Sequence, residues 1–311
     1  MTRRLRRTVA GTCLVFVVDN LLGKLRLARG DIESYSGALH ASLDTAGSLA
    51  YVRQVHLEYL DEIGLPAFHG RVAEVGPGDS CGVALLIRGD GAEQVDLVDR
   101  FYSRRDEARH GAVYRSLIAA TPGLASFAGL DREEQFAGLT RRYGDSASAE
   151  AFFTGGEAYD FIVSRAVMEH VTDPVLALRR MAAALKPGGV MTHVVDLGDH
   201  TMFTGSGFHE LKFLELPDWL YREMTAAVGR PNRVPLAAYR EALPGSDLKV
   251  TRLVGAERLS KPVPFDQIPR AQRDRSVALV RAHKARLHRR YRALADEDLA
   301  VAGFVLTHWS A

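Results

Sequence analysis

Short apolar runs alternate with amphipathic stretches along most of the chain. "GRVAEVGPG" predicts a buried strand that ends at Gly76, and "DSCGVALLIRG" a helix of about two to three turns behind it. "EQVDLVDRF" predicts a second strand ending at Asp99, residues 103–120 a helix, and "LTRRYG" a third strand. "YDFIVSRAV" reads as a buried strand, and "DPVLALRRMAAALKPGG" as an amphipathic helix with a Pro-Gly-Gly stop. "GVMTHVVDLGD" follows as a further strand. After Gly198 the rhythm changes to a polar and aromatic segment over 199–234. A helix ("PLAAYREALPG"), a strand ("DLKVTRLVG"), a basic helix ("QRDRSVALVRAHKARLHRRYRAL") and a closing strand ("EDLAVAGFVLTHW") complete the pattern.

Strands and helices in this order predict an α/β fold. The expected architecture is a Rossmann-like, seven-stranded, mostly parallel sheet with helices on both faces and an antiparallel C-terminal hairpin at its edge. Residues 31–69 are helical in pattern, with Leu49, Val52, Val55, Leu57 and Leu60 near one stripe. The expected organisation is a helical extension over 1–66 and one domain over 67–311. Within that domain, 199–234 are expected to form a lid over the substrate, with a structural cover over the sheet as the alternative, and 265–296 a basic helical insertion.

The 311 residues suffice for one large domain with additions. A net charge of +2 supplies no global field for nucleic acid, and no basic-aromatic groove is evident, so no nucleic-acid partner is expected. The two cysteines, Cys13 and Cys81, form no CxxC motif and fit a reducing, cytoplasmic setting. Positive charge does gather at the N-terminus. Arg3, Arg4, Arg6, Arg7, Lys24, Arg26 and Arg29 face Asp19 alone over the first 30 residues. The apolar run Val9 to Val18 is too short to span a bilayer. It predicts an amphipathic helix that packs on the protein, with peripheral membrane contact through residues 1–30 and a secretion signal as the alternatives.

A strand that runs through a glycine turn into a helix N-terminus is a nucleotide platform. Gly76 and Gly78 admit a ligand close to the backbone, and Asp79 or Ser80 is placed to cap the helix. A dinucleotide fingerprint fits poorly. Gly82 comes one position late, Asp79 would repel a pyrophosphate, and no Tyr-x-x-x-Lys pair is present, which weakens a nicotinamide-dependent oxidoreductase reading. Glu74 suits a ligand with an ammonium group, and Asp99 suits a ribose diol. S-adenosylmethionine carries both.

At these residues the chain resembles the class I S-adenosylmethionine-dependent methyltransferases. "EVGPGDS" is similar to their first motif with Ser80 in place of the last glycine, and "VDLVD" to their second. "YDFIVSRAVMEHV" resembles their fourth strand and the turn after it, and "LKPGGVM" the approach to the fifth. The resemblance implies S-adenosylmethionine as cofactor, with Glu74, Gly76, Gly78, Asp79, Ser80 and Asp99 around it. It also implies an adenine site near "GDSASAE", at Asp145 or at Ala149 and Glu150, with Ser164 and Arg165 near the methyl group.

The expected reaction is methyl transfer to a hydroxyl or amine of a small molecule or glycan. His200 and His170, after the fifth and fourth strands, are the candidate bases. A non-catalytic relative that only binds the cofactor is the remaining alternative. His193 reads as a satisfied core histidine, and Arg165 has an ion-pair reading besides the functional one. No HExxH or comparable spacing is present, so no metal is expected.

Overall fold

The structure is a computed structural model that describes residues 6–34, 39–156 and 158–311. Arg3 and Arg4 of the basic start lie outside the described residues. The principal strands are β1 (Gly70–Val75), β2 (Ala92–Asp99), β3 (Leu139–Tyr143), β4 (Tyr159–Arg165), β5 (Leu185–Asp196), β6 (Asp247–Leu253), β7 (Arg258–Val263) and β8 (Val301–Trp309). Among the described residues they form one sheet in the order β3-β2-β1-β4-β5-β8-β6-β7.

This confirms the mostly parallel α/β sheet and corrects two details of it. The sheet has eight strands, not seven. The addition, β7, reads "RLSKPV"; its charges and Pro262 break the apolar alternation by which a strand is recognised. Proline and lysine are what an outermost strand tolerates. The C-terminal strand is also not the edge. It lies between β5 and β6, and the antiparallel edge pair is β6 with β7, in register at Val250 opposite Val263.

The described chain divides into two compact units that do not follow chain order. The first comprises Ile32–Val167, Leu176–His193 and Thr307–Ala311. Here β1 pairs in parallel with β2 and β4, and β2 with β3. β1 and β2 are buried over most of their length because parallel strands are covered on both faces. Helix α2 (Thr45–Ile63) starts at an Asp44 cap, whose Oδ1 accepts from Gly47 N at 2.7 Å, and stops at Gly64 in the left-handed region. It buries Val52, Val55, Tyr59, Leu60 and Ile63. Helix α3 (Gly82–Asp90) buries every residue from Gly82 to Ile87, which is why its sequence shows no polar face until Arg88. Helix α4 (Glu107–Ala120) adds Val113, Tyr114 and Leu117 to the same core. Helix α5 (Pro174–Ala184) is followed directly by β5, so the predicted Pro-Gly-Gly stop lies inside the strand.

The second unit comprises Met1–Asp31, Met168–Val175 and Val194–Leu306. Helix α1 (Val9–Ala28) buries Cys13 and Phe16 in a core with Met202, Phe203, Phe213, Tyr221 and Met224. Phe203, Phe213 and Tyr221 of the aromatic 199–234 segment are therefore packing residues. Phe208 is half-buried and Trp219, on helix α6 (Asp218–Thr225), is exposed. Helix α7 (Leu236–Ala242) precedes β6. Helix α8 (Arg270–Lys284) ends earlier than the basic pattern predicts, with a separate short turn at Arg289–Arg292.

Asn20 ties α1 to the end of α6. Its amide donates to Glu223 O at 2.9 Å and accepts from Ala227 N at 2.7 Å. Replacing Asn20 with Ala removes both of these hydrogen bonds, and is expected to cost about 1–3 kcal/mol. Urea denaturation of the variant beside the parent measures this as a lower midpoint at unchanged slope.

Candidate functional site

The strand registers decide which residues meet in the first unit. Val75 stands opposite Val98 and Ser164, so Gly76, Asp99 and Arg165 each follow at neighbouring strand ends. Gly76 has φ 73° and donates to Val98 O at 2.8 Å. A Cβ on it would lie 2.2 Å from Val167 Cγ2, so only glycine holds this turn. Gly78 is also left-handed, at φ 64°, and its carbonyl accepts from Arg141 Nη1 at 3.1 Å. Arg141 is buried and bound twice by Glu133, at 2.8 and 3.2 Å, and Arg105 lies 3.1 Å from the same carboxylate. This ion cluster anchors the glycine turn from beneath. The one cue to it in the sequence is the pair of arginines in the strand "LTRRY".

Two of the predicted acids fit a cationic nucleoside. Glu74 is buried, and its Oε2 has no hydrogen-bond partner among the described residues. Burial pushes its pKa up to about 8, with the Arg141 cation opposing the rise. Such an atom is satisfied by an arriving ammonium. Asp99 is half-buried at the end of β2, with Oδ1 accepting from Phe101 N at 2.9 Å. Burial raises its pKa to about 6, and the Phe101 hydrogen bond works against that. Gly144 N donates to Arg100 O at 3.1 Å, and Arg100 Nε reaches Asp145 Oδ1 at 3.1 Å. These bonds bring the expected adenine segment beside the residue that follows Asp99. In that segment Ala149 is buried, and Glu150 is half-buried with its carbonyl accepting from Arg180. Orphaned carboxylate, glycine turn and strand-end acid together fit S-adenosylmethionine.

The other expected cofactor residues have protein partners. Asp79 is fully buried. His40 N lies 3.4 Å from its Oδ1, and His110 Nε2 is 3.7 Å from its Oδ2. Ser80 Oγ accepts from Gly82 N at 3.1 Å, so Ser80 and not Asp79 supports the start of α3. Ser164 Oγ sits 2.8 Å from His193 Nδ1, and burial holds that imidazole neutral with a pKa of about 3. Arg165 donates to Glu58 Oε2 and to Tyr51 Oη, each at 2.9 Å. That is the ion-pair alternative for this arginine.

The candidate bases belong to the second unit, and they come together there. The rings of His170 and His200 meet edge to face with centroids 4.7 Å apart. His200 Nε2 is 3.8 Å from Glu169 Oε1 and 3.9 Å from Asp196 Oδ2. Asp199 shapes the turn behind this pair. It accepts from Thr201 N, Phe203 N, Thr204 N and Thr204 Oγ1 at 2.7–3.0 Å, and His200 takes φ 47°. Asn232, which the sequence reading missed, clamps the other turn. Its side chain donates to Met168 O and Val171 O, each at 2.8 Å, and its N–H to Glu169 O. Burial, with His200 adding to it, lowers the His170 pKa to about 4.

Glu169, His170 and His200 are ligand types for a divalent cation, with one atom from each within 4.8 Å of the others. Tetrahedral bonds of about 2 Å put ligand atoms roughly 3.3 Å apart, against 3.8 Å between His200 Nε2 and Glu169 Oε1. In a second group, His209, Glu215 and His283, the rings of the two histidines stack at 3.7 Å and Lys212 already pairs with Glu215.

Residues 50–253 match the family described as "Methyltransferase domain". A ubiquinone biosynthesis O-methyltransferase of Parvibaculum lavamentivorans is 37% identical over 84 residues, covering 27% of this chain and 32% of that protein. One of Cereibacter sphaeroides is 43% identical over 54 residues, 17% of this chain and 22% of the relative. The matches thus span at most about a third of these relatives' length. Among solved structures, a sarcosine dimethylglycine methyltransferase of Galdieria sulphuraria aligns at TM-score 0.42 and 16% identity, over 86% of each chain. The Haemonchus contortus phosphoethanolamine N-methyltransferase 2 aligns at TM-score 0.43 and 16% identity, over 82% of this chain and 52% of its own. With the family matched over more than half of its residues, the chain belongs to the methyltransferase domain family.

Proposed function

We propose that this protein transfers a methyl group from S-adenosylmethionine to a hydroxyl of a small molecule or glycan. The carrying observation is Glu74 Oε2, buried without a hydrogen bond beside a turn that only glycine can form, with Asp99 at the next strand end. The curated relatives act on oxygen by their names, which favours a hydroxyl over an amine.

The cofactor supplies a methyl group on a positively charged sulfur, ready for in-line displacement. The chain's first task is to hold it. Glu74 and Arg141 set the charge at the amine end, Asp99 takes the ribose hydroxyls, and the 144–150 segment walls the base. Alignment of this kind contributes roughly 7–11 kcal/mol to a displacement. The second task is removal of the hydroxyl proton, and His200 is the better base of the two. Glu169 Oε1 and Asp196 Oδ2 lie 3.8 and 3.9 Å from its Nε2. His170, held neutral by burial, acts by keeping the His200 ring in place. A cofactor-binding relative without turnover would share the Glu74 and Asp99 geometry, and a screen with radiolabelled donor against hydroxylated aromatics and sugars separates the two readings.

Three outcomes are expected. Glu74→Gln and Asp99→Asn each weaken S-adenosylmethionine binding by about tenfold or more, as charged hydrogen bonds are lost; isothermal titration measures this. His200→Ala lowers kcat by about 10²–10⁴-fold and leaves the cofactor Kd unchanged. The pH dependence follows from Glu74. Its folded pKa of about 8 lies above the ordinary carboxylate value, so the folded protein holds a proton that the unfolded chain has lost. Stability without ligand therefore falls as pH rises from the ordinary carboxylate range to about 8, and Glu74→Gln flattens this slope in denaturation series. Cofactor affinity rises over the same interval, since the ammonium binds the carboxylate form.

A further inference from the structure

We propose that α1 docks this protein flat on an anionic lipid surface, a property separate from methyl transfer. The helix is buried on one side only. Thr12, Cys13, Phe16 and Asn20 face the core of the second unit. On the opposite side Leu14, Val18, Leu21, Leu22 and Leu25 are 49–56% exposed. Their spacing of four, three, one and three residues puts them on one continuous stripe of a helix. Five of the chain's exposed large apolar residues thus gather on a single element, which is the pattern of an unfilled contact surface.

Charge decides what fills it. The single acid of α1, Asp19, pairs with Arg230 at 2.8 Å. Lys24 pairs with Glu223 and Arg26 with Asp31, each at 2.9 Å. Arg7 and Arg29 are left as exposed cations at the two ends of the stripe. A second copy packed stripe to stripe would set Arg7 against Arg29 in the antiparallel sense, or each against itself in the parallel sense. Both put like charges together with no acid on the stripe to offset them. An anionic headgroup layer meets both ends with the opposite sign while its acyl region receives the leucines. Among the described residues no helix is long and apolar enough to cross a membrane, so the helix lies along the surface over its length of about 30 Å.

The test floats the full-length protein with vesicles of phosphatidylcholine alone or mixed with phosphatidylglycerol, and with Leu21→Gln/Leu25→Gln and Arg7→Gln/Arg29→Gln variants. The parent is expected to rise with the mixed vesicles and not with the neutral ones, and added salt should weaken the binding. Each double variant is expected to bind about tenfold less or weaker still. The arginine variant touches no core residue and so keeps the test valid if the leucine variant misfolds. Parent protein that ignores anionic vesicles overturns the proposal, as do variants that float as well as the parent. A dimer that dissolves in the leucine variant, seen by light scattering in the absence of vesicle binding, identifies a second copy as the occupant and overturns it too.

Discussion

A carboxylate shut away from water needs a partner, and Glu74 has Arg141 near it without a hydrogen bond to its Oε2. That imbalance organises the first unit. Taking a charge from water into a protein interior costs several kcal/mol unless it is paired and hydrogen-bonded. Here the cost is reduced by protonation, and the Arg141–Glu133–Arg105 cluster keeps a positive field within reach. The same arginine grips Gly78 O, so the charge that balances Glu74 also holds the turn beside it. The ammonium group of the proposed ligand would complete this set.

The second unit solves a different problem. On the proposed reading it presents His200 from a loop instead of a strand end. Asp199 does this by collecting four hydrogen bonds from the turn that follows it. Asn232 does the same for the turn bearing Glu169 and His170. Among the described residues neither has a hydrogen bond to the imidazole of His200. Both restrict the backbone from which it extends, and the His170 ring against its edge removes further freedom.

What the sequence could reveal depended on how local the signal was. β1, the glycine turn and the acid at the end of β2 form a contiguous pattern, and they stood out because hydrophobic runs and glycines speak for themselves at short range. Arg141 and Asn232 did not, since their meaning lies in partners 63 residues away at Gly78 and 64 residues away at Met168. The pairing of Ser164 with His193 was invisible for the same reason, although burial of His193 was expected from its place in a strand. The eighth strand was missed because an outer strand owes half of its surface to solvent and its composition follows solvent. The aromatic segment is expected to cover the substrate, and of its aromatics Phe203, Phe213 and Tyr221 pack in one core with Cys13 and Phe16 of α1. Aromatic content cannot distinguish a lid from a core.

The outermost strand has a consequence for how the protein behaves in a crowded solution. A sheet of eight strands would offer its rim as a template on which another chain could add hydrogen bonds without limit. β7 carries Arg258 and Lys261, and at Pro262 it lacks a backbone donor. A chain extending the ladder at that rim meets positive charge and a position without a donor, which disfavours accretion there.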